Sequence, residues 1–249
     1  MKARIIFVSL IILAVLLSSC SVLTNMGVKV ITPSSTIIRE NRDVSGFTAV
    51  VFSTFGKVNI IKGNKESLNI SGPDNLVPEI ITTVSNGTLT IKTKENITVT
   101  NLSPATILTF TVVVSDLTSL TLSGAGDVQV ETLTTSNMDL TLSGAGKVQM
   151  NQLSAENLKV NLSGAGGLDL TGSAALATID ISGAGSVNAP DFKIQTATIT
   201  ISGLGSATVW VTDTLTGNIS GAGSVSYYGT PQANTNSTGL GQFKSLGNK

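Results

Sequence analysis

The chain has 249 residues, with 15 Lys and Arg against 15 Asp and Glu, 25 glycines, one cysteine and no histidine. Only 12% of its residues are charged and none of the charge is in basic excess, so nothing in it suits a polyanion and nucleic acid is not an expected partner. One cysteine allows no internal disulfide.

The N-terminus opens with Lys2 and Arg4 and continues into a thirteen-residue core, 5–17, apolar except for Ser9. That run is too short for a typical membrane span and has the length of a signal-peptide core. It ends in Leu17-Ser18-Ser19-Cys20, the pattern of a bacterial lipobox: an aliphatic residue, two small residues, then the cysteine that receives lipid. Residues 1–19 are therefore read as a lipoprotein signal peptide, and Cys20 as the lipidation site and the membrane attachment. Each acyl CH₂ buried in the bilayer contributes about 0.8 kcal/mol. Residues 20–45 follow as the lipid anchor and a polar tether, within which Val28–Ile31 or Ile37–Ile38 has the residues for a first strand. The expected location is exported, held on the cell membrane or outer membrane and facing the periplasm or cell exterior.

From Gly46 the sequence becomes β-like. Short β-branched runs (47–52, 58–61, 68–70, 89–91) are separated by turn signals at Gly63-Asn64, Gly72-Pro73-Asp74 and Asn86-Gly87. A repeat then fills residues 119–246. Ser-Gly-Ala-Gly begins at Ser123, Ser143, Ser163, Ser182 and Ser220, Ser-Gly-Leu-Gly at Ser202, and Thr-Gly-Leu-Gly at Thr238. The spacing is 18 to 20 residues.

The columns of this repeat alternate. One residue before the serine stand Leu122, Leu142, Leu162, Ile181, Ile201 and Ile219; three before it stand Leu120, Leu140, Val160, Ile179, Ile199 and Gly217; polar residues lie between. Alternation resumes after the glycines with Val128, Val148, Leu168, Val187, Ala207 and Val225. Only strands place alternate residues on opposite faces. Each repeat thus holds two strands joined at a glycine corner, plus a less regular third segment. The fold expected is all-β: a single-stranded right-handed parallel β-helix, a solenoid of 18–20-residue coils. About seven glycine-turn coils would follow three or so irregular coils between residues 46 and 118.

The corner glycines are Gly124, Gly126, Gly144, Gly146, Gly164, Gly166, Gly183, Gly185, Gly203, Gly205, Gly221 and Gly223. Two structural roles suit them: positive φ, and close approach of neighbouring coils. A ligand-cradling role does not. The residue after the second glycine reads Asp127, Lys147, Gly167, Ser186, Ser206, Ser224, which cannot supply an acid in every repeat to a hard cation. No Gly-Lys-Ser/Thr and no helix follows to hold phosphate. No metal site, cofactor or catalytic residue is assigned.

Several features together resemble a known family. They are Phe47-Thr48-Ala49-Val50, Gly56-Lys57-Val58-Asn59-Ile60, Leu89-Thr90-Ile91, the Ser-Gly-Ala-Gly turns, and the closing Val225-Ser226-Tyr227-Tyr228-Gly229-Thr230-Pro231. The sequence from 46 to 246 resembles the auto-transporter adhesin, head-GIN domain family of bacterial envelope proteins. The resemblance implies a β-helical body on an exported protein or lipoprotein, and it carries no catalytic residues. The expected function is non-catalytic: a lipid-anchored rod presenting a binding surface to a glycan or a protein. A polysaccharide-cleaving β-helix enzyme is one alternative, but acids such as Asp127, Asp139, Asp169 and Asp180 fall in different columns and form no recurring pair. The other is a structural or signalling-associated envelope module without its own ligand. Trp210 follows the inward Val209, so by parity it points outward and is the candidate aromatic contact.

Overall fold

Side chains that recur every 18 to 20 residues must lie above one another if each recurrence is one turn of a coil. The computed structural model describes residues 27–249. The signal peptide 1–19 and Cys20 lie outside the described residues. In chain order the strands are β1 (Lys29–Ile31), β2 (Ile37–Arg42), β3 (Ala49–Ser53), β4 (Phe55–Lys62), β5 (Ser67–Pro73), β6 (Ile80–Ser85), β7 (Thr88–Thr93), β8 (Ile97–Val99) and β9 (Thr109–Val114). The repeat region supplies β10 (Ser119–Leu122), β11 (Ala125–Val130), β12 (Leu133–Leu142), β13 (Lys147–Leu162), β14 (Gly167–Ile181), β15 (Ser186–Ile201), β16 (Ser206–Ile219), β17 (Ser224–Tyr228), β18 (Gln232–Ser237) and β19 (Gln242–Ser245). A short 3-10 turn, Val77–Glu79, is the only helical element among the described residues.

The repeat region is a parallel β-solenoid, and its register is the one the columns predict. Leu120 pairs with Leu140, Leu140 with Val160, Val160 with Ile179, and Ile179 with Ile199. After the corner, Val128 pairs with Val148, then Leu168, Val187, Ala207 and Val225. These side chains are all buried and form one continuous aliphatic core. The third segment proves regular. In the central coils it joins the strands on either side, so that β13 and β15 each run 16 residues without a break. The glycine corner is the one interruption per coil in this region.

Spacing changes are absorbed away from that corner. The 19-residue step is taken up where Leu153 pairs with Gly172, beside a register shift after Met150. There Gln152 adopts φ 58° and Gly172 φ 122°. The 18-residue step is taken up between β15 and β16, where the register jumps from Ala189–Val209 to Lys193–Trp210. The displaced stretch turns Phe192 fully inward.

The N-terminal part departs from the expectation of successive irregular coils. The coil formed by β3 and β4 lies directly against β10 and β11. On its other side sit β7 and β9, which come later in the chain. Antiparallel strands then finish both sheets: β6 on β7, β5 on β9, and β2 on β5. Residues 63–114 are therefore one excursion that folds back over the first coil rather than two or three further turns. The turn Asn86-Gly87 explains part of this, since both residues take positive φ and a tight hairpin reverses the chain there. The tether boundary at residue 45 also moves. β2 is paired along its full length with β5, β1 pairs with β8, and Ile31 is buried, so the folded body begins by Lys29. An edge strand with open backbone groups, β5, needs a partner, and β2 supplies it.

The corner glycines owe their place to space rather than to backbone conformation. None of the twelve has positive φ. A Cβ on Gly144 would lie 1.9 Å from the carbonyl oxygen of Gly124; on Gly164, 2.0 Å from that of Gly144; on Gly203, 2.1 Å from that of Gly183. The second glycine of each pair is also crowded, by backbone or by a side chain: Gly146 would meet Gly126 O at 2.0 Å and Gly185 would meet Leu162 Cδ2 at 2.1 Å. The alanine between them points to solvent. The first coil is an instructive exception. Its corner reads Ser53-Thr54-Phe55-Gly56, and Thr54 is accommodated because it faces Thr93, whose hydroxyl lies 2.5 Å from its own.

Gly217, the one glycine in an inward aliphatic column, has a different cause. A Cβ there would lie 2.4 Å from Cε1 of Phe243. The ring from the last coil turns into the space that Ile199 fills one coil earlier, and closes the end of the core.

Two stability experiments follow from these contacts. Gly164→Ala is expected to destabilise the protein by about 1–3 kcal/mol, because the obstruction is backbone that cannot swing aside; Ala165→Gly, at the exposed position beside it, should change stability by a few tenths, and denaturant titration distinguishes the two. Gly217→Val alone should lower the melting temperature. Combined with Phe243→Ala it should cost less than the sum of the single changes, since the valine then occupies the vacated space, and a double-mutant cycle reads the difference.

Candidate binding surface

Because inward positions are filled with aliphatic side chains, chemistry can reside only on the outward columns. One outward face is continuous across eleven strands, ordered β2, β5, β9, β4, β11, β13, β14, β15, β16, β17, β19. At about 4.8 Å per strand it extends about 48 Å. One of its columns runs Arg39, Ser71, Thr109, Lys57, Asp127, Lys147, Gly167, Ser186, Ser206, Ser224, Gln242. The neighbouring column runs Asn41, Asn69, Thr111, Asn59, Gln129, Gln149, Asp169, Asn188, Thr208, Ser226, Lys244.

Amides and hydroxyls dominate this face, and several bond along the ladder. Asn69 Nδ2 donates to Asn41 Oδ1 at 2.8 Å. Gln149 and Asn188 donate to the two carboxylate oxygens of Asp169, each at 3.4 Å, and Lys147 Nζ lies 2.5 Å from Oδ2. Partial burial opposes ionisation of Asp169, but the bond and charge from Lys147, with the two amides, outweigh it and hold the carboxyl below the usual range. Asp169 is thus an ionised structural acceptor and makes a poor proton donor. Two depressions open on the face: one of about 540 Å³ lined by Arg39, Asn69, Ser71, Thr109 and Thr111, and one of about 270 Å³ lined by Lys57, Asn59, Asp127, Gln129, Lys147 and Gln149. They are adjacent, since Thr109 and Thr111 pair with Lys57 and Asn59.

The second sheet carries a threonine-rich outward surface: Thr121, Thr141, Asn161, Asp180, Thr200, Asn218 and Asn236 in one column. Asn157 Nδ2 donates to Asn137 Oδ1 at 3.0 Å there. On the third side, a depression of about 500 Å³ brings Lys62, Asp116 and Glu156 together beside Thr134 and Ser154. The acids Asp127, Asp139, Asp169 and Asp180 are spread over both sheets and are not brought together. Among the described residues no group of three metal-ligating side chains clusters, and no helix is long and apolar enough to cross a membrane.

Trp210 points outward, as parity requires, and is half-buried. It stands in register with Lys193 on one side and Tyr228 on the other. Its ring is not bare: Lys193 Nζ lies 5.9 Å and Lys249 Nζ 5.5 Å from its centroid, and Lys249 is also 5.5 Å from the Tyr228 centroid. Lys249 is held there by Asp191 and the carbonyl of Pro190. Tyr227 lies against the end of the core. Nothing in the repeat columns singled out the depressions around Arg39, Lys57 and Asn69. All of the first depression and part of the second come from β2, β4, β5 and β9, which precede the repeat and become neighbours only through the folded-back excursion; Asp127, Gln129, Lys147 and Gln149 of the second come from the repeat strands β11 and β13.

The fold has close counterparts among solved structures. A putative adhesin from Bacteroides fragilis NCTC 9343 superimposes with a TM-score of 0.83 at 28% identity, over 87% of this chain and 100% of that one. A putative lipid binding protein from Parabacteroides distasonis ATCC 8503 does so at 0.74 and 20% identity, over 88% of this chain and 100% of its own. A putative adhesin from Parabacteroides merdae ATCC 43184 gives 0.70 and 18%, over 87% and 99%. The last two identities carry the fold alone. No curated protein matches the sequence. The sequence model described as putative auto-transporter adhesin, head GIN domain, matches residues 46–231, and the chain belongs to that family.

Proposed function

We propose that this is a non-catalytic, lipid-anchored envelope protein whose rod binds glycan along the eleven-strand polar face. The observation that carries the reading is the pair of adjacent depressions on that face, walled by amides and hydroxyls together with Arg39, Lys57, Asp127 and Lys147. A sugar chain presents hydroxyl groups at a spacing that regular amide and hydroxyl ladders can satisfy repeatedly, and a rigid sheet holds those groups in place without ordering costs on binding. The adhesin name borne by the Bacteroides fragilis relative agrees with a role at a surface. Attachment through Cys20 would put the N-terminal end of the rod nearest the membrane.

Binding is tested with residues 27–249 on a glycan array, followed by calorimetry on the hits. Asn59→Ala with Gln149→Ala should weaken binding about tenfold or more, since each removed amide leaves a sugar hydroxyl without its partner. If Trp210→Ala abolishes binding and the amide variant does not, the contact belongs to the aromatic corner instead. Failure of every glycan to bind overturns the reading. Attachment is tested separately: the full chain should incorporate labelled fatty acid in a bacterial host, and Cys20→Ala should not.

A further inference from the structure

The two ends of the rod are finished differently. At the N-terminal end Leu76, Val77 and Ile80 are buried in the same core as Phe47 and Phe52. The edge strand there, β2, carries Arg39, Glu40 and Arg42, and charge on an edge discourages further strand pairing. At the C-terminal end β18 pairs only with β16, and β19 only with β17. Among the described residues, nothing bonds to the outer backbone groups of either strand. β18 reads Gln-Ala-Asn-Thr-Asn-Ser, without charge or proline, and all six residues are exposed. β18 thus lacks the usual protections of an open edge, whereas β19 is short and carries one charge, Lys244.

Two further features mark this end. Asn236 Nδ2 donates to Asn218 Oδ1 at 3.4 Å, so the amide ladder reaches the last coil with an acceptor still free. Leu240, at the last glycine corner between the two open strands, is 91% exposed.

We propose that two copies of this chain join tip to tip through β18 and β19. A single extended peptide would fill one of the two open strands. A second copy, turned about a twofold axis through the Thr238–Gly241 corner, fills both: β18 of each lies antiparallel to β19 of the other, and the two Leu240 side chains meet at the axis. The pairing is isologous and sets the two open C-terminal strands of each copy against each other, so it closes at two through that end. It is independent of glycan binding, which uses the side of the rod. With attachment at the N-terminal end, the joined tips are the parts farthest from the membrane.

Sedimentation velocity of residues 27–249, which contain every described strand and the whole core, tests this. At about 100 μM, where small interfaces become populated, the wild type should sediment as a dimer. Leu240→Lys and Asn236→Lys should each yield monomer while keeping the wild-type melting temperature. Ile37→Lys, on the opposite end, should leave the dimer intact. A wild-type monomer at that concentration, a dimer that survives both tip variants, or oligomers beyond two that Ile37→Lys dissolves would each overturn the proposal.

Discussion

At every glycine corner the backbone of one coil lies against the carbonyl of the coil before it, leaving no room for a Cβ; the added atom would sit 1.8 Å from Thr54 O at Gly124 and 2.1 Å from Gly203 O at Gly221. This approach keeps the coil spacing equal at the corner and along the strands. Ladder bonds then pass through the turn itself, as from Ser143 N to Leu122 O at 3.0 Å and from Leu204 N to Gly183 O at 3.0 Å. With spacing and register held there, a leucine one residue before the serine must lie over the corresponding leucine or isoleucine of the next coil. The aliphatic core, the outward ladders and the flatness of the polar face all inherit their regularity from that contact.

Variation is confined to places that do not disturb it. Coil length changes at the third side, where Gln152 and Gly172 take positive φ and where residues 190–192 are displaced from the ladder. The first coil dispenses with one glycine because Thr54 faces Thr93 from the folded-back excursion rather than another coil's corner. Its core is aromatic at columns where the later coils are aliphatic: Phe52 pairs with Leu122 and Phe110 with Val58, and the two rings pack edge to face with centroids 5.1 Å apart. At the far end, Gly217 yields its space to Phe243. Each end of the rod is thus closed by larger rings inserted where the repeat would place a branched aliphatic chain.

A solenoid of this kind separates scaffold from surface. Inward columns are almost wholly committed to packing, so surface chemistry can vary along the rod without altering the fold. The polar face shows this division. Apart from Lys244 on the last strand, its charged residues, Arg39, Lys57, Asp127, Lys147 and Asp169, lie between β2 and β14, while β15, β16 and β17 present only Ser, Thr and Asn in the same two columns. Lys147 and Asp169 neutralise one another across neighbouring coils. The two columns together carry four cations, Arg39, Lys57, Lys147 and Lys244, against two acids, Asp127 and Asp169, so the face is polar with a small positive excess.

Much of the repeat region is legible in the sequence alone. Alternation at positions such as Leu120-Thr121-Leu122 dictates strand and facing, and an 18–20-residue period dictates the stacking partner, because both are local consequences of backbone geometry. The parity that turns Trp210 outward is of the same kind. What stands next to Trp210 is not: Lys249 reaches it only because the C-terminal residues fold back along Tyr227–Gly229. The sequence likewise made the corner glycines necessary without saying whether conformation or space was the reason; neighbouring carbonyls decided for space. The order of the N-terminal strands, with β7 and β9 outside β3 and β4, and the depressions that order creates, rest on pairings between residues tens of positions apart. No period records those pairings, so only the tertiary structure could place Arg39, Asn69 and Lys57 on one face.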